Sequence, residues 1–142
     1  MVPQRISLIT LGCKNLPVLR DFYTYLGWKE TGHGYLDYAV FKTAGVMLSL
    51  YPLQSLADDT GLEAPKNTSG FKGVSFSINV DTPEQVDDII NVVAEAGGNI
   101  LKDPSNEGDF RSACFADPEY NVWEVAYNPG STFDERGAML TI

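Results

Sequence analysis

The sequence predicts an α+β fold made of two βαβββ modules in one domain spanning residues 1–142. Two observations carry that reading. The order strand, single helix, then about three strands occurs twice along the chain. One helix covers only one face of its sheet, and the residues assigned to the other faces are small and polar, unlike the Lys, Glu and Thr of an ordinary wet sheet surface. Two such units can pair the faces that their helices leave open.

Residues 5–13 alternate and then run apolar up to Asn15 and Pro17, which is a strand pattern. Residues 16–26 place Leu19, Phe22, Tyr23 and Leu26 at helical spacing, and Gly27 supplies the stop. The turn-prone Gly32-His33-Gly34 precedes two strand-like runs, 35–42 and 46–51, parted by Ala44-Gly45. The order then restarts. Residues 73–80 alternate cleanly, with Val74, Phe76, Ile78 and Val80 set against Ser75, Ser77 and Asn79. Thr82-Pro83-Glu84-Gln85 reads as a capping box with proline at the first helical position. Val86, Ile89, Ile90 and Val93 form an apolar stripe that Gly97-Gly98 ends. A short strand near 99–102 and runs at 110–116 and 121–127, around Asp117-Pro118, complete the second set. The modules are therefore 5–52 and 72–128. The segment 53–71 is polar, with little periodicity beyond a short helix at its start, and reads as a linker. The tail 129–142 opens with a turn at Asn128-Pro129-Gly130 and shows no further pattern.

The formal charge is −9, and it sits in one half of the chain. Residues 1–71 balance six basic groups (Arg5, Lys14, Arg20, Lys29, Lys42, Lys66) with six acidic ones, whereas residues 72–142 hold four against thirteen. Such a balance excludes nucleic acid and anionic membrane as partners. No apolar run reaches the ~18 residues of a membrane span. The start, Met-Val-Pro-Gln-Arg, has no apolar signal-peptide core. Cys13 and Cys114 form no CxxC pair or framework, so reduced thiols in the cytoplasm are expected.

Alternation assigns the faces. On the first strand Ile9 and Leu11 turn to the helix, and Leu8, Thr10 and Gly12 away from it. In 46–51, Val46, Leu48 and Leu50 oppose Met47, Ser49 and Tyr51. In 73–80, Phe76 and Ile78 turn inward and Ser75, Ser77 and Asn79 away, while in 121–127 Trp123, Val125 and Tyr127 oppose Val122, Glu124 and Ala126. The open faces thus suit a cleft of convergent polar groups. A solvated sheet face explains the same pattern as well.

The segments ISLITLGCKNLPVLRDFYTYLGW, GVSFSINVDTPEQVDDI and FADPEYNVWEVAYNP resemble the vicinal oxygen chelate superfamily, which includes glyoxalase I, bleomycin resistance proteins and extradiol dioxygenases. The resemblance covers roughly residues 5–128. It implies paired βαβββ modules whose curled mixed sheets enclose a ligand cavity, often in a homodimer. Metal-dependent members carry a His or Glu on the first and last strand of each module. By position these places fall on Leu8, Ser49, Ser75 and Glu124, all on the open faces. Only Glu124 is a ligand type, since leucine has no donor and serine is a poor one. No cofactor is assigned, and a divalent metal is not expected. Tyr120 also stands where the resemblance implies glycine in the Asp-Pro turn.

Glu124 is the candidate catalytic residue, as a base abstracting a proton next to a carbonyl. It suits equally a counter-charge to a cationic ligand. Thr10, Ser49, Ser75, Ser77 and Asn79 are candidate hydrogen-bonding groups, and Met47, Tyr51 and Leu8 candidate apolar walls. His33, the chain's one histidine, reads as a solvated loop residue. Of the thirteen carboxylates in the second half only Glu124 falls on an open face; the others are placed on the wet side of a helix, in turns or in the tail, with Asp103, Glu107 and Asp109 among the loop residues. The expected function is sequestration or binding of a small polar or cationic compound. The alternative is a lyase, isomerase or dioxygenase-type enzyme, metal-free or with an atypical metal, that uses Glu124 as base or ligand.

Overall fold

A computed structural model describes every residue except His33, so the reading of that residue lies outside the described part. The chain divides into two compact units, Met1–Lys66 and Asn67–Ile142. Both are α+β, as the sequence predicts, and their mixed sheets are open ladders rather than closed barrels.

The first unit begins with β1 (Leu8–Cys13) and α1 (Leu16–Tyr25), followed by β2 (Ala39–Lys42), β3 (Met47–Pro52) and α2 (Leu53–Thr60). The sheet order is β1-β3-β2, with β1 parallel and β2 antiparallel to β3. Asn15 caps α1 by accepting from the Val18 amide at 3.4 Å. The helix buries Leu16, Leu19, Phe22 and Tyr23 together with Leu11, Cys13, Phe41, Leu48 and Leu50. Burying an aliphatic or aromatic side chain of this size stabilises by about 1.5–3 kcal/mol.

The expected strand 35–42 is shorter than read, because residues 35–38 turn back on themselves. The Tyr35 amide donates to the Tyr38 carbonyl at 2.6 Å, and Arg20 donates to the carbonyls of both Tyr35 and Tyr38. Arg20 also meets Glu30 at 3.1 Å. Residues 35 and 38 bridge each other in this local turn instead of pairing with a neighbouring strand, so the strand starts only at Ala39. The two runs expected after the first helix are both present, as β2 and β3, one strand fewer than the full βαβββ order.

The second unit runs β4 (Ser75–Val80), α3 (Glu84–Glu95), β5 (Asn99–Glu107), β6 (Phe110–Ala116) and β7 (Val122–Tyr127), the full βαβββ order. Its sheet order is β4-β7-β6-β5. The capping box forms on its glutamine side, where Gln85 Oε1 accepts from the amides of Asp81 and Thr82 at 2.8 and 3.0 Å. Val86, Ile90 and Val93 are the buried stripe of α3. Arg111 of β6 clamps α3 through a two-pronged contact with Asp87, both at 2.7 Å.

One expectation fails here. The strand near 99–102 extends to Glu107, so Asp103 and Glu107 lie on a strand and not in a loop. Register shifts on both sides of Lys102 break its alternation, which is why the pattern faded after residue 102. The tail also folds, as a small hairpin of β8 (Thr132–Phe133) and β9 (Met139–Thr141). Its turn is organised by Asp134, whose carboxylate accepts from the Arg136 and Ala138 amides, each at 2.9 Å.

Candidate functional site

The open face of the first unit follows from strand register. Leu8 pairs with Met47, Thr10 with Ser49 and Gly12 with Tyr51, so these six side-chain positions lie on the face away from α1. The middle row is closed on itself: Thr10 Oγ1 and Ser49 Oγ lie 2.6 Å apart and share a hydrogen bond, and Ser49 is fully buried. The next row is covered. A Cβ on Gly12 would sit 2.6 Å from Leu53 Cδ1 and 3.2 Å from Leu53 Cα, so α2 presses on this face and a larger residue would have to push Leu53 aside. The start of the expected linker is thus a packed lid over one end of the sheet. Tyr51 meets the ring of Tyr38 edge-on at 5.9 Å. Leu8 and Met47, at the other end, keep 46% and 36% of their surface exposed.

The second unit has the same plan. Ser75, Ser77 and Asn79 of β4 pair with Val122, Glu124 and Ala126 of β7, and these with Ala116, Cys114 and Ser112 of β6. The opposite face holds Trp123 between Phe76 and Phe115, with ring centroids 5.0 and 6.2 Å away. The middle row of the open face reads Ser77, Glu124, Cys114 and Lys102 across all four strands. Ser77 and Lys102 are exposed, while Glu124 and Cys114 are half-buried.

Sequence reasoning missed Cys114 and Lys102. Cys114 lies in the run 110–116, whose faces were not assigned. Lys102 is harder, since plain alternation puts it with Ile100, which pairs with Phe115 on the helix side. The extra residue at Leu101 resets the parity, and Lys102 pairs with Cys114 instead. Burial pushes the Cys114 thiol up from its ordinary range, the charge of Glu124 adds to this, and Lys102 opposes it. A thiol kept protonated is a poor nucleophile and metal ligand, so Cys114 offers a soft, weakly polar surface.

The turn before β7 sets where Glu124 falls. Asp117 is fully buried, and its carboxylate accepts from the Glu119 and Asn121 amides and from Asn121 Nδ2 at 2.9, 3.0 and 2.7 Å. Lys72 Nζ donates to the Glu119 carbonyl and to Asn121 Oδ1. Tyr120 adopts φ 65°, the left-handed conformation that glycine takes most easily.

The four positions that the resemblance assigns to metal ligands do not supply a donor set. Leu8 has none, Ser49 is buried against Thr10, Ser75 offers a hydroxyl, and Glu124 alone is a carboxylate. Among the described residues no three His, Cys, Asp or Glu side chains gather as a metal site requires. An open groove of about 800 Å³ lies elsewhere in the first unit, lined by Cys13, Lys14, Leu53, Gln54, Glu63 and Lys66 among others, and no predicted site residue borders it. Among the described residues no helix is long and apolar enough to cross a membrane.

Helix-backed mixed sheets with small polar groups on their second faces define a class of βαβββ proteins that share one fold across many chemistries. This chain belongs to the Glyoxalase/Bleomycin resistance protein/Dioxygenase superfamily, whose family model matches residues 5–125. Its fold is similar to that of a glyoxalase-related enzyme from Fulvimarina pelagi (23% identity, TM-score 0.88, 98% of this chain and 99% of that one). It is also similar to a glyoxalase/bleomycin resistance protein/dioxygenase family enzyme from Burkholderia phytofirmans PsJN (22%, TM-score 0.76, 87% and 98%). A lactoylglutathione lyase from Agrobacterium tumefaciens is a more distant likeness (19%, TM-score 0.66, 89% and 96%). No curated protein matches this sequence.

Proposed function

We propose that the protein binds a small polar or cationic compound on the open faces of its sheets, without a divalent metal at the family's ligand positions. One observation carries this reading: Glu124 is retained while Leu8, Ser49 and Ser75 stand at the other three places. Ser75, Ser77 and Asn79 lie along β4 beside Glu124 on β7, a set suited to a polar ligand. Thr10, Met47, Ser49 and Tyr51 line the corresponding face of the first unit. The half-buried setting of Glu124 supports a second reading, an enzyme of the same superfamily in which this carboxylate acts as base. Both readings place the protein in the cytoplasm as a homodimer. Two cysteines without a disulfide suit that reducing compartment.

Elemental analysis with native mass spectrometry of the purified protein is the test. The expected result is a dimer mass, a small compound released on denaturation, and divalent metal far below one ion per chain. A full equivalent of metal that is lost in Glu124→Gln would overturn the metal-free reading. Turnover of a released carbonyl compound that Glu124→Gln abolishes would replace binding with catalysis.

A further inference from the structure

We infer that the ligand of the second unit's open face is a zwitterion, a compound with a cationic and an anionic group joined by a short apolar span. The inference rests on the binding reading above and deepens it. Its ground is the row Ser77, Glu124, Cys114, Lys102. This row places one negative and one positive side chain on the same face with a single strand between them. Neighbouring strands lie about 4.8 Å apart, so the two backbone positions are roughly 10 Å apart. Among the described residues, neither Glu124 nor Lys102 is held in an ion pair.

What lies between them is small and uncharged: Ala116, Cys114 and Ser112 of β6. Cys114 is the central side chain, and its thiol is kept neutral by burial and by Glu124. The rows on either side bring Val122 with Ala116, and Ala126 with Ser112. A purely cationic ligand would engage Glu124 and leave the Lys102 ammonium as a like charge nearby. A purely anionic one would meet the reverse problem. A ligand carrying both charges satisfies both ends and lays its methylene span over the thiol. The exposed Ser77 adds a hydroxyl beside Glu124 on the cation side.

The probes are ε-aminocaproate, n-hexylamine and caproate, which share a chain length and differ in charge. They are titrated against the full-length protein by calorimetry and by amide chemical-shift mapping. ε-Aminocaproate is expected to bind about tenfold more tightly than either singly charged probe, the scale of one retained charged contact. Its shifts should centre on Ser77, Cys114, Glu124 and Lys102. Lys102→Met should reduce its affinity to that of n-hexylamine, and Glu124→Gln to that of caproate. Thermal melts of both variants establish that they are folded. If n-hexylamine binds as tightly as ε-aminocaproate and shifts the same residues, the zwitterion is overturned while the binding reading stands. If none of the three binds, the zwitterion is overturned, and release of a compound from the purified protein still decides the parent reading. Tight ε-aminocaproate binding that neither substitution weakens overturns the assignment to this row.

Discussion

At equivalent places in the repeat the two units put a hydroxyl beside a different partner. In the first, Thr10 faces Ser49, and the two hydroxyls satisfy each other at 2.6 Å. In the second, Ser77 faces Glu124, and the row continues through Cys114 to Lys102. The next row differs as well: Gly12 admits α2 onto the first sheet, whereas Asn79 holds the same place on β4. The backbone plan is therefore shared while the polar groups do different work. In the first unit the two hydroxyls pair with each other, and in the second the hydroxyl sits beside a carboxylate. A repeat conserves register more strictly than it conserves what the register presents.

This contrast can be broken by substitution. The largest effect is expected at Asp117, since the second unit depends on it for the turn that places β7. Asp117→Ala removes at least three hydrogen bonds from a buried site, and their contributions, about 1.5–3 kcal/mol for a single bond to a charged group, overlap rather than add. A loss of about 3 kcal/mol in denaturant unfolding is expected, and a loss below about 1 kcal/mol would show that the turn forms without it. Next comes the hydroxyl pair itself. Thr10→Val leaves the buried Ser49 hydroxyl without its partner and should cost about 1–2 kcal/mol, most of it recovered in Thr10→Val/Ser49→Ala. The counterpart Ser77→Ala, on an exposed residue, should stay within about 0.5 kcal/mol. Equal costs in the two units would erase the distinction drawn above.

The smallest effect is a pH dependence confined to the second unit. The Arg111 guanidinium beside Asp87 holds that carboxyl below its ordinary value through a paired hydrogen bond. A carboxylate with a lowered pKa in the folded state stabilises above its unfolded pKa and loses that contribution as pH falls through the folded one. The melting temperature of the protein should therefore fall more steeply than that of Asp87→Asn below about pH 4. The pair is partly exposed, so the difference should be a degree or two at roughly neutral pH and vanish in acid. Parallel acid profiles would mean the clamp contributes nothing.

Much of this was legible in the chain. Period-two alternation over 73–80 and 121–127 assigned Ser75, Ser77, Asn79 and Glu124 to one face because nothing interrupts those strands. The helices were legible from their apolar stripes and from the stops at Gly27 and Gly97. What was not legible lies where a local pattern is overruled at longer range. Residues 35–38 belong to a strand-like run, yet they form a local turn that Arg20, fifteen and more positions earlier, ties down through the carbonyls of Tyr35 and Tyr38. The short helix expected after Pro52 is present as α2, but its packing is not legible, because its apolar residues Leu53 and Leu56 are few and their contact, Gly12, has no side chain to advertise it. Lys102 was lost to a one-residue bulge, which reverses every alternation argument downstream of it.

That bulge has a second effect. β5 is an outer strand of its sheet, and an unpaired edge is a template on which another chain can add a strand. Here the ladder is broken twice within nine residues, Pro104 withholds an amide, and Lys102 and Asp103 set opposite charges side by side. A strand arriving from outside finds no long run to register against. The irregularity that sets a lysine beside Cys114 thus also guards this edge against growth into fibrils.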